Sequence, residues 1–372
     1  MTNYAEWLNR EHGQCLVVAP TNRGSEDGGL PYPVYRYKSI STIVRKPYRM
    51  GLPRLDFGYR RKLKTLEADI IHAHSPFVAG SEALRYGRRL GVPVVGTIHT
   101  KFYNDFLEAT HSKAFARYAV KKCVQFFERA DAVWAVNEGT AEVLRGYGYT
   151  GPIEVMPNGC DAVRPSDPDA LFARVNEKYN IGAEETVFLN VARQVWGKNL
   201  KTVLDAFALF TKNHPAKLIM AGEGMDAKDI RRYARDQGLG ESVLFTGNIM
   251  DRELLFGVYM RALAFVFPSV YDNAPIVVRE AAAMGTPSIL VRGTDAAESF
   301  ADNETVLLCE NTPESVARRM EDIYTDEALR ERVNAQCSHI AIPWREIVGR
   351  VVVRYGEIIE EHKSKAAGRK GK

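Results

Sequence analysis

The sequence predicts an α/β protein made of two doubly wound parallel-sheet domains facing each other across a cleft. Short apolar runs recur along the chain with helical stretches between them, the alternation that builds parallel sheets covered on both faces. The 372 residues, 45% of them hydrophobic, are enough for two sizeable cores. A Pro/Gly/Asp cluster near the middle marks where one core would end and the next begin.

Taken in order, the first half offers CLVVAP, ADIIHAH, VPVVGTIH, DAVWAVN and IEVMPNG as strands. Periodicity fails in PNGCDAVRPSDPDA, residues 157–170. The expected domains are therefore 1–160 and 161–343. After the boundary come TVFLNVA, AKLIMAG, SVLFTGN, AFVFPS, PSILV and TVLLCE. A third segment, 344–372, reads as a helix from Trp344 to Ile359 followed by HKSKAAGRKGK, a basic tail expected to fray. There is no run of 18 apolar residues, and the N-terminus lacks a signal-peptide pattern, so a cytoplasmic protein is expected. The five cysteines are scattered with no C-x-x-C pair, which argues against a disulfide framework or a zinc knuckle.

Charge is uneven. Residues 1–155 hold 22 Lys+Arg against 15 Asp+Glu, and most of the excess lies in residues 35–64, where ten bases face only Asp56 and are interleaved with Tyr and Phe. Arg45, Lys46, Arg49, Arg60, Arg61, Lys62 and Lys64 read as a patch for an anionic membrane surface or as a solvated loop. The bases follow no nucleic-acid-binding module, so a nucleic-acid partner is not expected.

The chemistry concentrates in YDNAPIVVREAAAMGTPSIL, residues 271–290. The preceding AFVFPS is a buried strand, which places Asp272 on the loop at its carboxyl end. Asn273 can cap the next helix and Pro275 suits its first turn, putting Glu280 about one turn inside. Free N–H groups and a positive helix end lie between the two carboxylates. A second strand-to-helix junction, VARQVWGKNLKTVL, carries Arg193 and Lys198 on its loop. The two cations could hold a diphosphate or could be ordinary surface charges. His99 ends the strand of GTIHT. His72 and His74 share one strand face, but no acid or cysteine accompanies them at metal-ligand spacing, so no metal is expected. AGEGMD is only a fragment of a glycine-rich loop, and FTGNIMD reads as a strand and a turn that could contact a base.

Taken together, ADIIHAHSPF, GTIHT, IEVMPNGCD, the strand-end R-x4-K and PSVYDNAPIVVREAAAMGTPSIL resemble the family 4 retaining glycosyltransferases of the GT-B fold. The likeness spans residues 4 to 362 and is nearest in look to bacterial enzymes that glucosylate diacylglycerol. It implies two Rossmann-like domains, the first on the acceptor side and the second binding the nucleotide sugar, with the last helix crossing back to the first. It also implies a retaining transfer of a hexosyl group from a UDP-glucose-like donor to the hydroxyl of a lipid or cell-envelope glycan. By the same resemblance Asp272 contacts donor-sugar hydroxyls, Glu280 the ribose, Arg193 and Lys198 the leaving diphosphate, and His99 the transferred sugar. The backbone around Asn273, Ile276 and Val277 approaches sugar and phosphate, and Ile249 meets the base. No metal or other cofactor is implied.

The sequence departs from the family pattern in three places. Asp272 stands where the family has Glu, which shortens the reach by one methylene. Pro275 stands where it has Gly and removes a backbone donor. The family's opening strand and glycine-rich turn have no counterpart, so a sheet lacking its first strand is expected, as in a chain whose natural start lies upstream or an impaired homologue that only binds nucleotide sugar. A glycoside hydrolase would also use two carboxylates but has no use for Arg193 and Lys198. A glycan phosphorylase would want a cofactor lysine that the sequence does not offer.

Overall fold

The computed structural model describes residues 2–370 apart from 23, 25, 26, 42–48, 166 and 299. The chain forms two compact units, one of residues 1–158 with 344–372 and the other of residues 159–343.

The second unit is a single parallel sheet. Its strands are β9 (Val187–Val191), β10 (Lys217–Ala221), β11 (Val243–Gly247), β12 (Ala264–Phe267), β13 (Ser288–Val291) and β14 (Leu307–Cys309), numbered after eight in the first unit. Their order across the sheet is β11-β10-β9-β12-β13-β14. Successive residues of β9 point to opposite faces. Phe188 packs with Leu200, Val203, Phe207 and Met320 on one side, whereas Val187 and Leu189 pack with Leu254, Val258 and Ala281 on the other. This is why the strands read as continuous apolar runs: helices cover both faces and the central strands are almost wholly buried. From β9 the chain winds outward through β10 and β11, then returns to build β12 on β9's other edge. The winding thus reverses between β9 and β12, and ligands in such sheets bind beyond the carboxyl ends of the strands at that reversal.

The first unit is less continuous. It opens with the helix Thr2–Glu11 and then β1 (Val17–Pro20), β2 (Val34–Tyr37), β3 (Ser39–Ser41) and β4 (Arg49–Gly51). β5 (Ile71–Ala73), β6 (Val94–Ile98), β7 (Ala132–Ala135) and β8 (Glu154–Val155) follow. The parallel strands fall into two sheets, β1-β2 and β5-β6-β7-β8, with β3-β4 an antiparallel hairpin beside them. Among the described strands of this unit only β6 is buried along its whole length, beneath Phe126 and Phe127.

Two expectations need correction here. The basic stretch is not an open loop: it holds β2, the hairpin, and the helix Phe57–Lys62, whose cap Asp56 accepts from the Tyr59 N–H at 3.1 Å. Arg45 and Lys46 lie outside the described residues. Arg49 is spent inside the hairpin on Ser39 and Ser41, and the Lys62 ammonium rests 5.4 Å from the Tyr35 ring centre. Arg60, Arg61 and Lys64 remain exposed. The last helix does not dissolve after Ile359 but runs from Trp344 to Lys370. Its sequence after 359 is rich in Glu, Lys and Ala, all good helix formers. Arg354 forks onto Glu154 through Nε and Nη2, both at 2.8 Å, and His362 meets Asp131 at 3.0 Å. Trp134 and Tyr355 stack with ring centres 5.5 Å apart. These contacts hold the helix on the first unit's sheet.

Candidate active site

At the carboxyl end of β9 the chain turns through residues 192–199, including the short turn Trp196–Lys198, before the helix Leu200–Phe210. This loop is fixed from beneath by the β10 turn. Gln194 donates its N–H to the Glu223 carbonyl at 3.0 Å, and Trp196 donates to Asp226 Oδ2 at 2.9 Å. The turn can come so close because it carries glycines. A Cβ on Gly222, at φ +127°, would lie 2.1 Å from the Ala192 carbonyl oxygen, and one on Gly224 would lie 2.2 Å from that of Gln194. The AGEG fragment, uninformative as a motif, is thus the platform that sets the Arg193–Lys198 loop.

Across the reversal point, β12 ends at Phe267 and its loop leads to the helix Ile276–Ala283. Pro275 itself takes the cap position, two residues after Asn273, and no side chain caps this helix, so Asn273 is not the cap. Asn273 is instead buried, Val277 half-buried, and Ile276 exposed at 47%.

The two loops meet through an ion pair beside a hydrogen bond from Asn199 to the Pro268 carbonyl. Lys198 Nζ donates to Asp272 Oδ1 at 2.5 Å. Asp272 Oδ2 is buried without a hydrogen-bond partner, an acceptor positioned for a donor the protein does not supply. Arg193 is exposed on the same loop as Lys198. Glu280 is almost wholly buried, taking Arg252 Nη1 on Oε1 at 3.0 Å and the Tyr259 hydroxyl on Oε2 at 3.3 Å. Burial, reinforced by the Glu280 carboxylate, drives the Tyr259 phenol well above its ordinary range, so it stays a donor. Ile249 is half-buried on the loop after β11, packed against the Val258 and Leu254 side of the core. The structure therefore brings Lys198 and Asp272 together and places Glu280 on a helix continuous with Asp272.

His99 belongs to the first unit, just after β6. Its Nε2 lies 3.0 Å from His74 Nδ1, and the rings of His72 and His74 lie 4.0 Å apart. His72 is spent on Tyr355 and Thr97, both at 2.6 Å. Burial lowers all three imidazoles, His72 to about 3, His99 to about 4 and His74 well below its ordinary value, so they are neutral at pH 7.

Sequence reasoning missed Arg252, Tyr259, Asp226 and Asn199. Arg252 and Glu280 are 28 residues apart, and Asn199 reaches Pro268 across 69, so no local pattern announces them.

Glycosyltransferases of the GT-B fold share this architecture. HepE from Anabaena, crystallised with UDP and glucose, matches with a TM-score of 0.74 at 16% identity, covering 95% of each chain. Sucrose-phosphate synthase from Thermosynechococcus elongatus matches at 0.79 and 19% identity, covering 96% of this chain and 92% of that one. In sequence, residues 1–164 match the family described as Glycosyltransferase Family 4 and residues 172–337 that described as Glycosyl transferases group 1, and the chain belongs to these glycosyltransferases. Alpha-monoglucosyldiacylglycerol synthase of Streptococcus pneumoniae is 29% identical over 291 residues, 75% of this chain and 64% of that protein. The chain thus spans under two thirds of that relative's length. A GDP-mannose-dependent phosphatidylinositol monomannoside mannosyltransferase of Mycolicibacterium smegmatis is 26% identical over 360 residues, covering 91% of this chain and 88% of that one.

Proposed function

We propose that the protein transfers a hexosyl group, with retention of configuration, from a nucleotide sugar to the hydroxyl of a lipid acceptor. The observation that carries the reading is the Lys198–Asp272 contact at the reversal point of the second sheet, beside an unpaired Asp272 oxygen. When a donor enters, Lys198 and exposed Arg193 take its diphosphate, Lys as a point charge and Arg with its planar fork. Asp272 Oδ2 accepts from a sugar hydroxyl. Glu280 accepts from the ribose on the lone pairs that Arg252 and Tyr259 leave open, and Ile249 meets the base. As the glycosidic bond breaks, charge accumulates on the departing diphosphate, and the two fixed cations stabilise it more in the transition state than in the ground state. Arg193 and Lys198 supply the charge that a divalent ion would otherwise provide, so no metal is required. His99 is assigned to the transferred sugar on the family resemblance.

A UDP-glucose-like donor and a lipid acceptor are favoured because the relatives include a glucosyldiacylglycerol synthase and a lipid mannosyltransferase, and HepE binds UDP. Among the described residues no helix is long and apolar enough to cross a membrane. Peripheral docking on an anionic leaflet from the cytoplasmic side suits the exposed Arg60, Arg61 and Lys64 with neighbouring Leu55 and Phe57, exposed at 65% and 77%. Incubating the full chain with UDP-, GDP- and ADP-sugars, with and without EDTA and diacylglycerol, tests the reading. One donor is expected to be consumed in either buffer, and consumption of none would refute it.

A further inference from the structure

One side chain reaches three of the strand-to-helix junctions at the carboxyl edge of the second sheet. Asn199 follows Lys198 in a left-handed conformation, φ +59° and ψ 30°, between the turn Trp196–Lys198 and the helix Leu200–Phe210. Asn adopts this region far more readily than other residues with a side chain. Its amide nitrogen donates to the Pro268 carbonyl at 2.9 Å, on the loop that carries Asp272, and to Asn311 Oδ1 at 2.7 Å, on the loop after β14. Its amide oxygen accepts from the Thr202 hydroxyl at 2.8 Å in the first turn of its own helix. Both amide atoms are therefore occupied, and the bonds span 69 and 112 residues of sequence.

The Lys198 ammonium depends on this arrangement. A lysine stem has four rotatable carbons, and the backbone from which it springs is fixed on one side by the Gly222–Gly224 platform and on the other by Asn199. We infer that Asn199 is a positioning residue for glycosyl transfer, acting through Lys198: it clamps the β9 and β12 junctions at one spacing, so that the diphosphate cation and the sugar-binding Asp272 meet the donor in register. The inference rests on the nucleotide-sugar reading above. It goes beyond it in assigning Asn199, whose amide is taken up by Pro268, Asn311 and Thr202, a share of the turnover rate.

The test is a double-mutant cycle on the full chain. Asn199→Gly retains the left-handed backbone and removes only the amide, and Asn311→Ala removes one of its partners as a milder variant. Asn199→Gly is expected to lower kcat about 10-fold with UDP affinity changed by less than about 3-fold, and Asn311→Ala to fall between it and wild type. In a Lys198→Ala background the same Asn199→Gly change should cost less than about 2-fold, because the group through which Asn199 acts is gone. Lys198 acylation by limiting acetic anhydride, read by mass spectrometry, should be several-fold faster in Asn199→Gly than in wild type. Full multiplicative losses in the cycle, or unchanged kcat together with unchanged Lys198 acylation, would overturn the inference. A Lys198→Ala enzyme with intact turnover would instead sink the diphosphate assignment, while the acylation result would still report on the clamp.

Discussion

The two units solve the same architectural problem differently. In the second, one six-stranded sheet buries its central strands between two apolar layers, with Asn190 and Ser288 as buried polar side chains within its strands, and the charged candidates Arg193, Lys198 and Asp272 lie at the carboxyl edge where the winding reverses. In the first, the parallel strands fall into two sheets and β1 is half-exposed throughout. Polar groups also penetrate the interior: His72 and Thr97 are bonded within the sheet, and buried Trp134 Nε1 and the Tyr59 hydroxyl have no hydrogen-bond partner. A core that holds imidazoles neutral loses stability as pH falls below their unfolded value, because the unfolded chain takes up protons first. The second unit thus presents its edge loops from one continuous sheet, and the first is expected to have a stability that answers to pH.

The comparison can be broken most forcefully in the core. Phe188→Ala, in the middle of the second sheet, should cost about 3–5 kcal/mol, whereas Val18→Ala on half-exposed β1 should cost under about 1.5 kcal/mol. Denaturant melts of the two variants check this, and equal losses would erase the contrast between the sheets. At the second unit's edge, Lys198→Ala should lower turnover about 10- to 100-fold, the value of one charge-assisted contact of about 1.5–3 kcal/mol, read from initial rates at saturating donor.

Acidification should single out the first unit. Its imidazoles have folded pKa values of about 3 for His72 and about 4 for His99, below the unfolded value of 6.5. The unfolded chain therefore binds protons first as pH falls, and the stability these groups contribute is fully present above about 6.5 and lost progressively toward about 4 for His99 and about 3 for His72. Hydrogen exchange at pH 7 and pH 5 should show protection falling in β5 to β7 more than in β9 to β13, and uniform loss would contradict the assignment. The smallest effect is expected for Tyr259→Phe, which removes one donor to Glu280. A rise in donor KM of about 2- to 10-fold with kcat unchanged is expected, the value of one hydrogen bond of about 0.5–1.5 kcal/mol.

Most of this architecture is legible in the sequence because a buried parallel strand can hardly be written any other way: TVFLNVA, AFVFPS and PSILV announce themselves. Asp272, Glu280, Arg193 and Lys198 are legible for a related reason, since strand-end loops are where a doubly wound sheet presents chemistry. The hairpin β3-β4 is not legible, because its half-exposed strands carry no apolar alternation and look like a basic loop. The helix after Ile359 is missed because its contacts, such as His362 with Asp131, come from residues 231 positions away. Arg252, Tyr259 and Asn199 are hidden for the same reason: their roles come from partners that only the fold brings near.

The most direct test of the account is calorimetric titration of the full chain with UDP-glucose and with UDP, beside Lys198→Ala and Asp272→Asn. The account requires Lys198→Ala to weaken both ligands by about 10-fold or more and Asp272→Asn to weaken the sugar nucleotide while sparing UDP. Equal binding of both ligands by all three proteins would show that the second unit does not grip an activated sugar through this pair.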